Sequence, residues 1–209
     1  MSLFFIIFVM KNIRYWHQTS EASCGPTSLL MILNYYYPSI KLNRENEWEI
    51  WRDTSMLAWR GSHPYGVAFA ALKRGLKVHL IREKKTFWKD TKFPENNDSI
   101  RYSIVGHEKK SKALGLVESM KRKIDLKMLR ELLEKNATII ILMKFIRKNG
   151  TIGSSHWVVP LKLEKKHIVI HDPYASGNRR IPIKLFMKGW NRIRDRKYGM
   201  NKEILIIKK

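Results

Sequence analysis

The chain has 209 residues, 44% apolar and 11% aromatic, which is enough to bury the core of one ordinary domain and excludes a disordered polymer. Its 41 Lys and Arg against 18 Asp and Glu give a formal charge of +23, which favours anionic partners such as acidic peptides, nucleic acid or an anionic membrane surface. One cysteine excludes an intramolecular disulfide and any zinc site built on several thiolates, and fits a reducing, cytoplasmic setting.

The apolar run Leu3 to Met10 is far shorter than the roughly 20 residues needed to span a bilayer. It has neither the basic residues before it nor the small residues after it of a secretory signal. It reads as a buried first strand or as a leader upstream of a start at Met10, with residues 1–9 dispensable. Ile13-Arg14-Tyr15-Trp16 then reads as a short strand leading into a polar turn from His17 to Ser23. A helix follows abruptly, with Pro26 in its first turn and Leu29 to Leu33 apolar on nearly every side, and it ends before Pro38.

Residues 41–59 suggest one or two helices, with Trp48, Trp51 and Trp59 expected in the core. Gly61-Ser62-His63-Pro64 is a turn and N-cap. The next helix carries an apolar stripe at Val67, Ala70, Ala71 and Leu72 and stops at Gly75, before a strand from Leu76 to Ile81. Residues 82–123 form a basic insertion of weak periodicity, with a short strand expected around Ile100 to Val105 and a mobile loop over 106–123. Leu126, Leu129, Leu132 and Leu133 predict a helix over 125–135, and the β-branched run from Thr138 to Phe145 a buried strand. Residues 156–163 and 167–172 read as a hairpin closed by Glu164-Lys165-Lys166, and Ile204 to Ile207 as a last edge strand. The layout is α+β: a single domain over 1–209, a buried helix first and then a mainly antiparallel sheet. The basic runs at Lys109-Lys110-Ser111-Lys112, Lys121-Arg122-Lys123 and Arg192 to Lys197 accompany no zinc-finger spacing and no RNA-binding signature. Nucleic acid is therefore the lesser partner reading.

Cys24 stands at the start of the first helix, where the macrodipole favours a negative sulfur. A free thiol ionises only near pH ~8.5, so a nucleophilic cysteine also needs an imidazole and a group to orient that imidazole. With a three-residue hairpin loop, Leu163 pairs with His167 and Val158 sits opposite Asp172, which puts His156 and Asp172 on one sheet face. Gln18, six residues before Cys24, can present its amide beside the thiol as an oxyanion donor, with the Cys24 N–H as the second. His167 and His171 share the face opposite Asp172 and lack a third ligand, so no metal or other cofactor is expected.

The segments QTSEASCG and SLLMILNYY resemble the start of the papain-like cysteine peptidases that process bacteriocin leaders at double-glycine sites. The likeness continues in GSHPYGVAFAALKRGLKVHLI, DLKMLRELLEKNATIIILMKF and SHWVVPLKLEKKHIVIHDPY, in the family's order. The resemblance implies a papain-like fold with Gln18 as oxyanion donor, Cys24 as nucleophile, His156 as general acid and base, and Asp172 as its orienter. It implies a peptide or protein substrate, with no cofactor. Two departures stand out: Ser23 occupies a position where the family often has Asp, and the insertion over 82–123 has no counterpart in the compact family core. With no room for membrane spans or an ATPase, the chain resembles the stand-alone branch. Other acyl chemistry on the same residues (transglutamination, deamidation, amide ligation) and a non-catalytic binder of acidic peptide or nucleic acid are the competing readings.

Overall fold

The computed structural model describes residues 11–56, 60–83, 98–147, 149–193 and 201–209. The first helix, α1 (Cys24–Tyr36), is buried at every position from Gly25 to Asn34, as its all-round apolar sequence requires. Tyr37 N–H closes it on Leu33 O at 2.7 Å, one residue before Pro38. Helix α2 (Arg44–Thr54) is capped by Asn43, whose side chain accepts from Asn46 N–H at 3.0 Å. Helix α3 (Pro64–Lys73) is capped by His63 Nδ1, and Gly75, at φ +80°, turns the chain into β1 (Lys77–Arg82). Then come α4 (Asp98–Ala113), β2 (Val117–Met120), α5 (Leu126–Glu134, capped by Asp125) and β3 (Thr138–Ile146). The chain closes with β4 (Ile152–Leu163), β5 (His167–His171), β6 (Asn178–Pro182), α6 (Ile183–Asn191) and β7 (Glu203–Lys208).

The strands form one sheet in the order β2-β1-β7-β3-β4-β5-β6. Every neighbouring pair is antiparallel except β1 with β2, so the architecture is α+β around a mixed sheet. Helix α1 packs along β4 and β3, α3 along β1, and α6 along β3. The core runs without interruption from Leu29–Leu33 through Ile139–Met143 to Ile204–Ile207. Within it, Arg82 Nε donates to Glu203 Oε1 at 2.8 Å and Arg82 Nη1 to Tyr65 Oη at 2.7 Å, while the tyrosine donates to Glu118 at 2.9 Å. This buried ionic group ties β1, β7, α3 and β2 together.

Several expectations change. Residues 13–16 pair in no ladder; they are tied down singly, Ile13 O by His171 Nε2 at 2.7 Å and Tyr15 Oη by Ala175 O. Trp48 is not core: it is 43% exposed on α2, with the Arg44 guanidinium over its ring at 4.5 Å. Trp59 and residues 1–9, on which two further expectations fall, lie outside the described residues. In place of a strand at 100–105 and a loop over 106–123 there is a 16-residue helix followed by a parallel edge strand. The inward face of that helix is Ile100, Ser103, Ile104, His107 and Ser111, helical in spacing but mostly polar, so hydropathy hides the period. Finally, Ile204 to Ile207 sit mid-sheet between β1 and β3 rather than at an edge. Their unbroken apolar run is the pattern of a strand covered on both faces.

Candidate active site

Cys24 is the first residue of α1 and is partly exposed. The turn before it is fastened from three sides. Ser23 Oγ donates to Ser20 O at 2.9 Å and accepts from Ser20 N–H at 3.2 Å. Gln18 N–H donates to Pro173 O at 2.9 Å, which draws the turn against the segment that follows Asp172. The fully buried Glu47 of α2 accepts from Trp16 Nε1 and from Thr19 N–H, both at 2.9 Å. Gly25 lets this end of α1 approach β4: a Cβ there would lie 3.0 Å from Ser62 Cβ and 3.1 Å from Trp157 Cδ1. The indole of Trp157 is fixed in turn by donating to Ser62 O at 3.1 Å.

His156 on β4 donates from Nε2 to Asp172 Oδ1 at 2.6 Å, and both side chains are buried. The hairpin reaches this pairing by a different route from the expected one. The turn is one residue longer, so Leu163 pairs with Ile168 rather than His167. A bulge at Leu161 then takes up the extra residue, giving Pro160 with Ile170 and Val159 with His171. Continued one step past the last pair, this register sets Val158 opposite Asp172, as the shorter loop without a bulge also requires. Asp172 Oδ1 also accepts Tyr174 N–H at 3.1 Å, and Oδ2 accepts Arg179 Nη1 at 2.6 Å.

With Nε2 engaged by Asp172, Nδ1 is the nitrogen left for the thiol. Burial alone pushes the Cys24 thiol up, but the hydrogen bond and charge of His156, with the N–H groups of Trp157 and Gly25, outweigh it and hold the thiol below its ordinary value. Burial would likewise depress His156, yet its hydrogen bonds to Asp172 and Cys24 and their charges push it up to about 9. Asp172 is held below the usual carboxylate range against its own burial, first by His156 and then by Arg179. The three shifts run in the direction that favours moving the thiol proton to the imidazole beside an ionised carboxylate.

Cys24 and His156 open onto a cleft of about 380 Å³, lined also by Gln18, Glu21, Phe145, Arg147 and Tyr174. The structure therefore brings together all four residues singled out in the sequence. The Gln18 amide is buried, with Nε2 donating to Ser20 O at 2.6 Å and Oε1 without a partner. His17 turns away from the cleft, its Nδ1 at 3.0 Å from Ala175 O. Among the described residues no cluster of His, Cys, Asp or Glu has the grouping of a metal site, and no helix is long and apolar enough to cross a membrane. Sequence reasoning missed Glu47 and Arg179. Both reach the site through partners distant in sequence, and neither belongs to a local motif.

A helix-borne cysteine set against a sheet-borne histidine and aspartate, on a seven-stranded α+β frame, defines the architecture of a papain-like cysteine peptidase. The chain belongs to the Peptidase C39-like family, whose model matches residues 13–184. Among solved structures it is similar to a double-glycine-motif protease from an AMS/PCAT transporter in complex with the leader peptide, at 20% identity and a TM-score of 0.51, covering 95% of this chain and 93% of that one. It is similar to the peptidase domain of Streptococcus ComA, a bifunctional ABC transporter involved in quorum sensing, at 14% identity and a TM-score of 0.50, covering 94% and 98% of the two chains. A C39-like peptidase described from Bacillus anthracis matches at 11% identity and a TM-score of 0.54, covering 96% and 97%. At these identities the likeness is one of fold. No curated protein matches the sequence.

Proposed function

We propose that this protein is a cysteine peptidase with Cys24 as nucleophile, His156 as general acid and base, Asp172 as its orienter, and Gln18 with the Cys24 N–H as oxyanion donors. The single observation that carries the reading is the depressed Cys24 thiol beside a His156 imidazole bonded at 2.6 Å to Asp172, at the mouth of a cleft. The Cys24 thiolate adds to a peptide carbonyl carbon, and the oxyanion accepts hydrogen bonds from the Gln18 amide and the Cys24 N–H. The C–N bond then breaks as His156 gives its proton to the leaving amine. Water attacks the thioester with His156 as base, which releases a carboxylate and restores the thiolate.

Peptides with a double-glycine leader are the first substrates to assay, because the sequence resemblance points there and a double-glycine-motif protease is among the structural neighbours. The charge of +23 favours acidic peptides among the rest. Iodoacetamide should label Cys24 faster than a free thiol near neutral pH, and more slowly after His156→Ala. Labelling at the free-thiol rate in both proteins would overturn the reading. Incubating the enzyme with a glutamine peptide and an amine separates hydrolysis from transfer, since a transferase yields a crosslink and a peptidase a shorter peptide.

A further inference from the structure

The Asp172 carboxylate has a charged partner on each oxygen, His156 Nε2 on Oδ1 and Arg179 Nη1 on Oδ2, both at 2.6 Å. Asp172 is almost wholly buried, so the second cation is not a surface ion pair added from solvent. Arg179 is itself held at two further points. Its Nη2 donates to Ile146 O at 2.8 Å, at the end of β3, and its guanidinium lies 5.6 Å from the centre of the Phe145 ring. That ring stands edge-on to His156 with centroids 5.2 Å apart. One fork from β6 thus joins the carboxylate, the strand end and the aromatic side chain packed on the imidazole.

We propose that Arg179 is a positioning residue for the peptidase reaction, fixing which carboxylate oxygen faces His156 and dividing the charge of Asp172 between itself and the imidazolium. The inference rests on the cysteine-peptidase reading above. A carboxylate bonded to His156 alone can rotate and offer either oxygen. With Oδ2 held by a bidentate-capable guanidinium that also grips a backbone carbonyl, rotation breaks two charge-assisted bonds at once. The same positive charge opposes protonation of His156, so Arg179 moderates what Asp172 supplies. Among the described residues, the other charged or titratable groups near the pair are Cys24 from α1, Tyr15 beside Asp172, and Glu21, Arg147 and Tyr174 lining the cleft. Lys144 of β3 is engaged with Ser155 Oγ at 3.2 Å. None of these side chains bonds the second carboxylate oxygen, which among the described residues leaves Arg179 to set it.

The test follows the His156 ring resonance by NMR through a pH titration of the full chain. Arg179→Met removes the opposing charge, so the imidazolium should keep its proton to a pH higher by roughly half a unit to one unit. Arg179→Lys retains the charge and should leave the midpoint near that of the wild type. In an Asp172→Asn background, Arg179→Met should produce a smaller shift, because the part carried through the shared carboxylate has gone and only the direct repulsion remains. If Arg179→Met does not fold, as judged by circular dichroism, Arg179→Gln carries the same neutral-residue arm. A folded neutral variant with the wild-type midpoint, or an equal shift in the Asp172→Asn background, overturns the proposal. Iodoacetamide labelling of the wild type separates this failure from that of the underlying reading: a fast-reacting Cys24 with no Arg179 effect sinks the positioning role alone.

Discussion

At the scale of single residues, His156 is charged because Asp172 and the Cys24 thiolate make it so. Removing either should loosen its proton. In Cys24→Ala the His156 midpoint should fall below the present value of about 9, since one of the groups that raises it is lost. Hydrolysis should decline as pH rises through about 9, because a neutral imidazole cannot protonate the leaving amine. The same proton has a bearing on stability. A histidine whose value is raised on folding stabilises the native state most fully below its unfolded value of roughly 6.5. That support then fades as pH climbs through about 9. Thermal melts of wild type and His156→Ala, compared across this window, should converge at the alkaline end. The grouping of Cys24, His156 and Asp172 was legible in the sequence because each sits in a short motif with its own chemical logic. Arg179 was not, since a lone arginine five residues after Tyr174 carries no local mark of its partner.

At the scale of elements, two glycines set how closely the helices approach. A Cβ at Gly66 would lie 2.5 Å from Thr54 O, a backbone atom that cannot swing aside, so Gly66→Ala must separate α3 from α2. A loss of about 1–3 kcal/mol is expected, read by urea denaturation. Gly25→Ala presses on Ser62 and Trp157 instead and displaces the residue next to the nucleophile. Its expected signature is a drop in Cys24 alkylation rate on the order of tenfold or more, with a smaller loss of stability than at Gly66. Ser23, which departs from the resembled family, closes the turn on Ser20 through its hydroxyl and so performs a local fastening task. Helices α1, α3 and α5 could be read from sequence within a residue or two, whereas the expected span of 41–59 narrowed to α2. Helix α4 could not, because polar His107 and Ser111 occupy its buried stripe, and β6 and α6 carry little beyond basic residues and short apolar patches.

At the scale of the whole molecule, the sheet is held by a mid-sheet strand, β7, that arrives last in the chain. Glu203 opens it and is wholly buried against Arg82, so the closing strand is locked to β1 by an ionic bond as well as by its ladder. Arg82→Ala should cost about 3–5 kcal/mol by leaving Glu203 uncompensated, measured by urea denaturation at neutral pH. Replacing both partners together by Met and Leu should cost far less than the sum of the single changes. The central position of β7 also explains why an edge was the natural expectation from sequence: the order of strands in a sheet is set by long-range pairing, which no local pattern encodes.

The bulge at Leu161 lies outside the count that sets the catalytic pairing. Lys162 pairs with Val169 and Pro160 with Ile170 on either side of it, so the residue between them has no partner of its own. Deleting Leu161 should therefore keep Pro160 with Ile170 and leave His156 in step with Asp172, at the loss of the local bend that the bulge adds. Deleting the paired Val159 as well leaves no spare residue to absorb the change, and should send His156 to the opposite face and abolish thiol activation. The hairpin thus tolerates loss of an unpaired residue and not of a paired one, a rule that can be checked by following Cys24 alkylation through the single deletion and the double.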